Sequence, residues 1–292
     1  MNLVTSIYKI EDINLLKDYL DYALINVPKY SINYKDIDVD KAVKLCDENN
    51  IKVILSINRI MHPGDLKNVE ELINKYKNND VLFYIADLGV LNILKKYDLL
   101  NKVIYNPETM ITNYLDLKLY NDMVLACGVS NEITLEDLKM MYDKTNSNIF
   151  YQGFGLRLMF YSRRKLISLY GNKNNTTYPK ENVYLREITR TDYMPIIENE
   201  ENTLIYRPYY ISLLDKLNEI TFVKFLYIES FNIDMDLFKD INRMFYESIK
   251  NDKLLYVLPE FNSLKLNIED GFIYKDSVYQ KEELKKWVSM NY

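Results

Sequence analysis

IKVILSINRIMHPGDLKNVEELINKYKNNDVLFYIADLGVLNILKKY, residues 51–97, is the stretch whose reading decides the fold. It opens on the apolar, β-branched run KVILSI (52–57) and passes into LKNVEELINKY (66–76), where apolar residues recur at helical spacing. It then repeats the pair as VLFYIA (81–86) and LGVLNILKKY (88–97). Strands that are apolar along their whole length are covered on both faces, as parallel strands joined by crossover helices are. The alternation extends both ways. LVTSIY (3–8) and YALINV (22–27) precede it; KVIYN (102–106), MVLAC (123–127), NIFYQ (148–152) and VKFLYI (223–228) follow. Amphipathic segments separate them: IEDINLLKDYL, VDKAVKLCDEN, ITNYLDLKLY, TLEDLKMMYDK and MDLFKDINRMFYESIK. In the fourth of these, Thr134 and Asp137 have capping-box spacing and Leu135, Leu138 and Met141 share a face. Eight such units in roughly 250 residues predict an α/β chain folded as a (β/α)8 TIM-type barrel. No G-x-G-x-x-G turn follows the first strand, which counts against an open dinucleotide-binding sheet.

The rhythm breaks at NVYLREITRTDYMPIIENEENTLIY (182–206), three strand-like pieces that predict a small antiparallel insertion, at about 181–208, between strands seven and eight. The reading is one barrel domain over 1–292 with a C-terminal tail from about 253, in which LLYVLPEF and DGFIYKDSVYQ are expected as further strands or a closing tail.

With 48% hydrophobic and 27% charged residues, the 292-residue chain has an ordinary globular composition. Its longest apolar runs fall far short of the roughly 18 residues of a membrane span, and MNLVTSIYKIEDIN lacks the basic start and cleavage site of a signal peptide. The expectation is a cytoplasmic protein with no membrane association. Cys46 and Cys127, far apart in sequence, cannot make a four-cysteine site and read as buried thiols.

Charge is unevenly spread. Residues 144–180 hold seven of the 37 Lys and Arg and none of the 42 Asp and Glu, so the segment is +7 and the remainder, 30 against 42, is -12. Such asymmetry predicts a local anion-binding surface, one that could meet RNA, with Phe154, Phe160 and Tyr161 interleaved among Arg157, Arg163 and Arg164. Leu158, Phe160, Leu166, Ile167 and Leu169 are expected to pack a helix there.

Barrel enzymes work at the C-terminal ends of their strands. The residues there are Asn58, Arg59 and His62; Asp87; Asn106, Glu108 and Thr109; Glu132; Gln152 onward; and Glu229. Asp87, Glu229, Asn58 and His62 are the candidate catalytic residues, and Arg157, Arg163, Arg164, Thr109, Asn113 and Gln152 the candidate substrate- or anion-binding ones. An acid that ends an apolar strand is costly unless functional or paired, here with a barrel-mouth Arg. The only histidine reads equally as a loop residue before Pro63, and Glu108 and Glu132 as acids favouring helix N-termini. No G-x-S-x-G or H-E-x-x-H pattern occurs.

Ordered fragments along most of the chain resemble the collagenase-like peptidase family U32. YIADLGVLNIL is similar to that family's QDLGVL element, NPETMITN to STQMNVTN, SNEITLEDL to ARELSLEEI, and TDYMPIIENEENTLIY to YFPIEEDEHGTYIF. QGF with MFYSRRKLISLYG resembles HGAL-CMAYSGRCLLSxY. The resemblance implies a barrel. It also implies a hydroxylase or peptidase lineage, since members include RNA and ubiquinone hydroxylases in which four cysteines hold an iron-sulfur cluster. Here Leu158 and Lys165 stand at the first two cysteine positions and the shortened NKNNTTYPKENVYLRE has no later pair. Gln152 replaces the family histidine and Phe231 the late arginine, while Glu229 is kept. No cluster or other cofactor is therefore expected. The form is most similar to the shorter of two paralogues, in low-GC Gram-positive bacteria, linked to prephenate-dependent C5 hydroxylation of the tRNA wobble uridine. That implies a prephenate-like carboxylate ligand, tRNA contact through 144–180, and a cluster-bearing paralogue as partner. A non-catalytic scaffold and a collagenase-like peptidase are the alternatives.

Overall fold

The computed structural model describes residues 1–188 and 191–274. Eight parallel strands close into a ring: β1 (Asn2–Ile7), β2 (Tyr22–Asn26), β3 (Lys52–Ile57), β4 (Val81–Ile85), β5 (Val103–Tyr105), β6 (Ala126–Gly128), β7 (Ile149–Ser162) and, after an excursion, β11 (Phe225–Ile228). Each pairs with the next in sequence; β11 pairs with both β7 and β1, which closes the barrel. Helices α1 (Ile10–Leu16), α2 (Val39–Glu48), α3 (Leu66–Tyr76), α4 (Leu88–Lys96), α5 (Tyr114–Asn121) and α6 (Leu135–Thr145) make crossovers between consecutive ring strands, and α8 (Met235–Asn251) follows β11. The predicted cap of α6 forms: Thr134 Oγ1 accepts from Asp137 N, and Leu135, Leu138 and Met141 are buried.

Period-two alternation along the strands builds the interior in layers. Val4, Leu24, Ile54, Tyr84, Ile104, Ala126, Phe150 and Phe225, one from each ring strand, fill the barrel. Two residues further along, the inward set turns polar: Ser6, Asn26, Ser56, Asn106, Gln152 and Tyr227, beside the small Ala86 and Gly128. The outward-facing apolar residues form the larger core under the helices. The barrel is thus solid below and polar at its C-terminal mouth.

The insertion between strands seven and eight is present as β8 (Val183–Leu185), β9 (Met194–Glu198) and β10 (Thr203–Ser212). β7 is 14 residues long and runs out of the barrel, and its outer half pairs antiparallel with β10, which carries β9 and β8 in turn. The insertion is tied down over the mouth. Asn199 and Asn202 donate to Ile32 O at 3.0 Å each, and Arg59 at the end of β3 bonds Glu201 at 2.8 Å and Asp65 at 3.1 Å.

Three expectations are corrected. Leu158 and Phe160 lie on β7, not in a helix; only Leu166–Lys173 is helical (α7), with Ile167 buried and Leu169 exposed. The sixth strand begins at Ala126, because Met123 is 42% exposed in the turn after α5 and the apolar run overshoots the strand. LLYVLPEF forms helix α9 (Leu254–Ser263), since its buried residues Leu254, Val257 and Phe261 fall at helical spacing while Leu255 and Tyr256 are exposed. Of DGFIYKDSVYQ, residues beyond 274 lie outside the described part. Among the described residues no helix is long and apolar enough to cross a membrane.

Candidate functional site

Glu229, immediately after β11, is the centre of the polar mouth. Tyr8 Oη donates to its Oε1 at 3.0 Å, Phe231 N to the same oxygen at 3.1 Å, and Tyr227 Oη to its Oε2. Asn33 extends the network, its Nδ2 donating to Tyr8 Oη at 3.1 Å and Tyr206 Oη at 3.2 Å. Burial raises the Glu229 pKa above the ordinary carboxylate value, and the Tyr227 and Tyr8 hydrogen bonds oppose that shift. Burial likewise raises all three tyrosines well above theirs. Among the described residues no arginine pairs with this acid; its partners are two phenols and the Phe231 amide.

The backbone makes room for that carboxylate. β7 carries a bulge where its register with β11 passes from Tyr227↔Gln152 to Ile228↔Phe154. Gly155, at φ +117°, then brings the strand against Glu229: a Cβ there would stand 2.6 Å from Glu229 Cβ. Gln152, at the family's histidine position, holds the bulge by donating to Leu156 O at 3.2 Å.

Glu108 is the second acid of the mouth. It sits at φ +59° after Pro107, its backbone N bonded to Asn106 Oδ1 at 3.0 Å, and its carboxyl makes no hydrogen bond among the described residues. Burial pushes its pKa up to about 7. Glu108 does not serve a helix N-terminus, because α5 starts only at Tyr114; Glu132 stands two residues before Thr134, which caps α6. Two connected hollows meet at Glu108. An inner one of about 80 Å³ includes Asn26, Asn58, Asn106, Gln152, Tyr206 and Glu229. An outer one of about 310 Å³ includes Thr109, Met110, Asn131, Arg157, Phe160 and Arg207; Asn58, Glu108 and Leu158 line both.

The structure therefore gathers Glu229, Asn58, Gln152, Thr109 and Arg157 around one mouth and separates the others. Asn58 is buried and its Oδ1 accepts from Ile32 N and Ser56 Oγ. Asp87 is spent on structure: its Oδ1 caps α4 through Gly89 N and Val90 N, and its Oδ2 accepts from Met61 N at 3.0 Å. Asn113 caps α5 in the same way. His62 is exposed on the β3–α3 loop and lines neither hollow, its backbone N bonded to Asp65. Arg163 joins Arg59 in the charge cluster with Asp65 and Glu201, 3.7 Å from each acid, while Arg164 is exposed at the start of α7. Sequence reading missed Tyr8, Asn33, Tyr206 and Arg207; the last has a signal in Pro208, which marks an irregularity inside a strand-like run.

The positions where the family carries its first two cluster cysteines offer no thiolate. Leu158 turns its side chain to the hollows and Lys165 stands exposed before α7. Cys46 and Cys127 are wholly buried in the sheet–helix core, and burial pushes both thiols up to about 12. These donors do not fit an iron-sulfur cluster at the mouth.

The chain is 23% identical over 267 residues, 83% of its length and 85% of the relative's, to the tRNA hydroxylation protein P2 of Bacillus subtilis (strain 168). It is 26% identical over 149 residues, 48% of its length and 36% of the relative's, to an uncharacterized protease of Methanocaldococcus jannaschii. Among solved structures, N-(5'-phosphoribosyl)anthranilate isomerase from Pyrococcus furiosus superposes with a TM-score of 0.47 at 11% identity, covering 86% of this chain and 99% of that one. The model of peptidase family U32 matches residues 20–254, from just before β2 to the first residue of α9. That span takes in seven of the eight ring strands, the insertion and Glu229, and the chain belongs to peptidase family U32.

Proposed function

We propose that this protein takes part, in the cytoplasm, in C5 hydroxylation of the tRNA wobble uridine, as a member without a cluster of its own that works with a cluster-bearing paralogue. The observation that carries the reading is the likeness to a tRNA hydroxylation protein over 83% of this chain and 85% of that one. The Leu158 and Lys165 positions support the cluster-free part: iron-sulfur chemistry would come from the partner chain, while this mouth binds a small ligand. A prephenate-like carboxylate is that ligand in our reading. The tRNA would meet exposed cations of the basic segment, Arg164 and Lys165 just before α7 and Lys173 at its end.

The test is deletion of the gene, followed by mass spectrometry of 5-hydroxyuridine in total tRNA digests. We expect a fall that the wild-type gene restores and a Glu229→Gln gene does not. An unchanged level in cells with no other member of the family able to substitute would sink the proposal. Co-purification of the tagged chain with a cluster-bearing family member is expected; a tagged chain that restores the modification while purifying alone would remove the partnership.

A further inference from the structure

Two guanidinium groups face the outer hollow, and among the described residues neither is paired with an acid, although Glu108 and Glu132 also line it. Arg157 is 4% exposed; its Nη1 donates to Asn131 O at 2.7 Å, but its Nε and Nη2 make no hydrogen bond among the described residues. The Oδ1 of Asn131 is buried and unpartnered among the described residues as well, and the buried hydroxyl of Tyr151 lies beside the guanidinium. No carboxylate pairs with Arg157 among the described residues, and burial lowers its pKa from the ordinary arginine value.

The second cation is placed there by the strand register. β10 pairs with β7 through Tyr206↔Leu158 and next through Tyr210↔Leu156, so Arg207, Pro208 and Tyr209 stand opposite Arg157 alone. Pro208 cannot donate to a ladder, and the resulting bulge re-aims Arg207. Its Nη1 donates to Tyr209 Oη at 2.9 Å and its guanidinium lies 4.8 Å from the Phe272 ring centroid, again with no acid partner among the described residues. A buried guanidinium without an anion is costly, and a second of like sign adds to the cost. Apolar side chains of Met110, Met159 and Phe160 share the outer hollow with this pair, as do the acids Glu108 and Glu132.

We infer that Arg157 and Arg207 form the carboxylate-binding end of the outer hollow, which takes an organic acid whose apolar body lies against Met110, Met159 and Phe160. The guanidinium plane suits bidentate capture of a carboxylate, with Asn131 beside it at the polar end. Arg207 is a new site residue. The inference deepens the proposed function, resting on its placement of the working site at the barrel mouth, but its test does not involve tRNA.

Titration calorimetry of the purified full-length protein would use 3-phenylpropionate as the probe, with 3-phenylpropanol and inorganic phosphate as comparisons. The acid is expected to bind and the alcohol to give no heat. Arg157→Met and Arg207→Met should each weaken the acid at least tenfold, while Lys44→Ala on the outer face of α2 leaves it unchanged. Circular dichroism checks folding; if Arg157→Met does not fold, Arg207→Met carries the test. Absence of acid binding, equal binding of the alcohol or of phosphate, or affinity unchanged in the folded arginine variants would each overturn the inference. Arginine-dependent acid binding in a protein whose deletion leaves 5-hydroxyuridine intact would instead remove the proposed function and keep the site.

Discussion

Gly155 is where fold and site are most tightly joined, and Gly155→Ala tests that junction. At φ +117° an alanine is held in a region that L residues rarely occupy, a strain of about 1–3 kcal/mol. Its Cβ would also lie 2.6 Å from Glu229 Cβ and 2.8 Å from Glu229 O, both shorter than real contacts allow, and overpacking of this kind costs about 1–3 kcal/mol. Restricting the unfolded chain returns at most about 1 kcal/mol. The net loss should be roughly 1–5 kcal/mol, up to a large share of the 5–15 kcal/mol typical of a folded domain. The clash falls on backbone, so β7 must retreat from Glu229 and loosen the Tyr8 and Tyr227 hydrogen bonds. Urea unfolding followed by circular dichroism measures the first effect, and restoration of tRNA 5-hydroxyuridine at matched protein level the second. Gly64→Ala is the control: a Cβ there meets nothing within 4 Å, so its stability should stay within about 0.5 kcal/mol of wild type. If Gly155→Ala unfolds within about 1 kcal/mol of wild type, the close approach that we assign to Gly155 does not govern the mouth.

Arg59→Met should cost about 2–3 kcal/mol by urea unfolding, below the full cost of a broken buried pair because Asp65 and Glu201 are a quarter exposed and keep Arg163 nearby; a loss under 0.5 kcal/mol would show that the insertion is held by other contacts. Glu108, with its pKa pushed up from 4.5 to about 7, binds its proton more tightly in the folded state, so its contribution makes stability fall as pH rises between those values. Glu108→Gln should therefore gain on wild type by up to about 3 kcal/mol between pH 4.5 and 7, and parallel urea midpoints across that range would refute the assignment. Cys46 and Cys127, at 0% exposure and with thiols pushed up to about 12, should resist a thiol reagent in the native protein and both react in denaturant; rapid native labelling would contradict their burial.

Eight strands and their crossover helices were legible because each is a separate burial problem solved with its own periodicity. Reading failed where two solutions share a pattern. The run 154–169 has apolar residues that suit a helix, but β7 continues to Ser162 because β10 is there to pair with it, a partner some 45 residues away. MVLAC and LLYVLPEF are short apolar runs, and short runs do not distinguish strand, turn and helix. Within the site, Asp87 and Glu229 carry the same signal, an acid ending an apolar strand. Asp87 precedes Leu88, Gly89 and Val90, and the free helix-start amides of Gly89 and Val90 consume it; Glu229 precedes a loop and is held by the phenols of Tyr8 and Tyr227, an amide from Phe231 and the neighbouring Ser6. Glu108 is visible as a strand-end acid but reads as serving a helix N-terminus, because nothing about a glutamate announces a left-handed backbone.

The acid-free segment shows how a one-dimensional charge count divides in three dimensions. Lys144 ends α6, ahead of β7 and so at the far end of the barrel from the mouth, over the Tyr114 ring at 4.2 Å. Arg163 is neutralised by Asp65 and Glu201, and Lys180 lies 3.7 Å from Glu198. Only Arg164, Lys165 and Lys173 remain as an exposed group, while Arg157 alone turns inward with its charge unmet. A run of seven positive residues thus separates into a solvent-facing cluster that suits a polyanion and one buried guanidinium that suits a small acid. The two belong to the same strand–helix unit because β7 crosses from the barrel wall to the insertion, so a ligand at Arg157 and a partner on α7 would be read by one continuous strand.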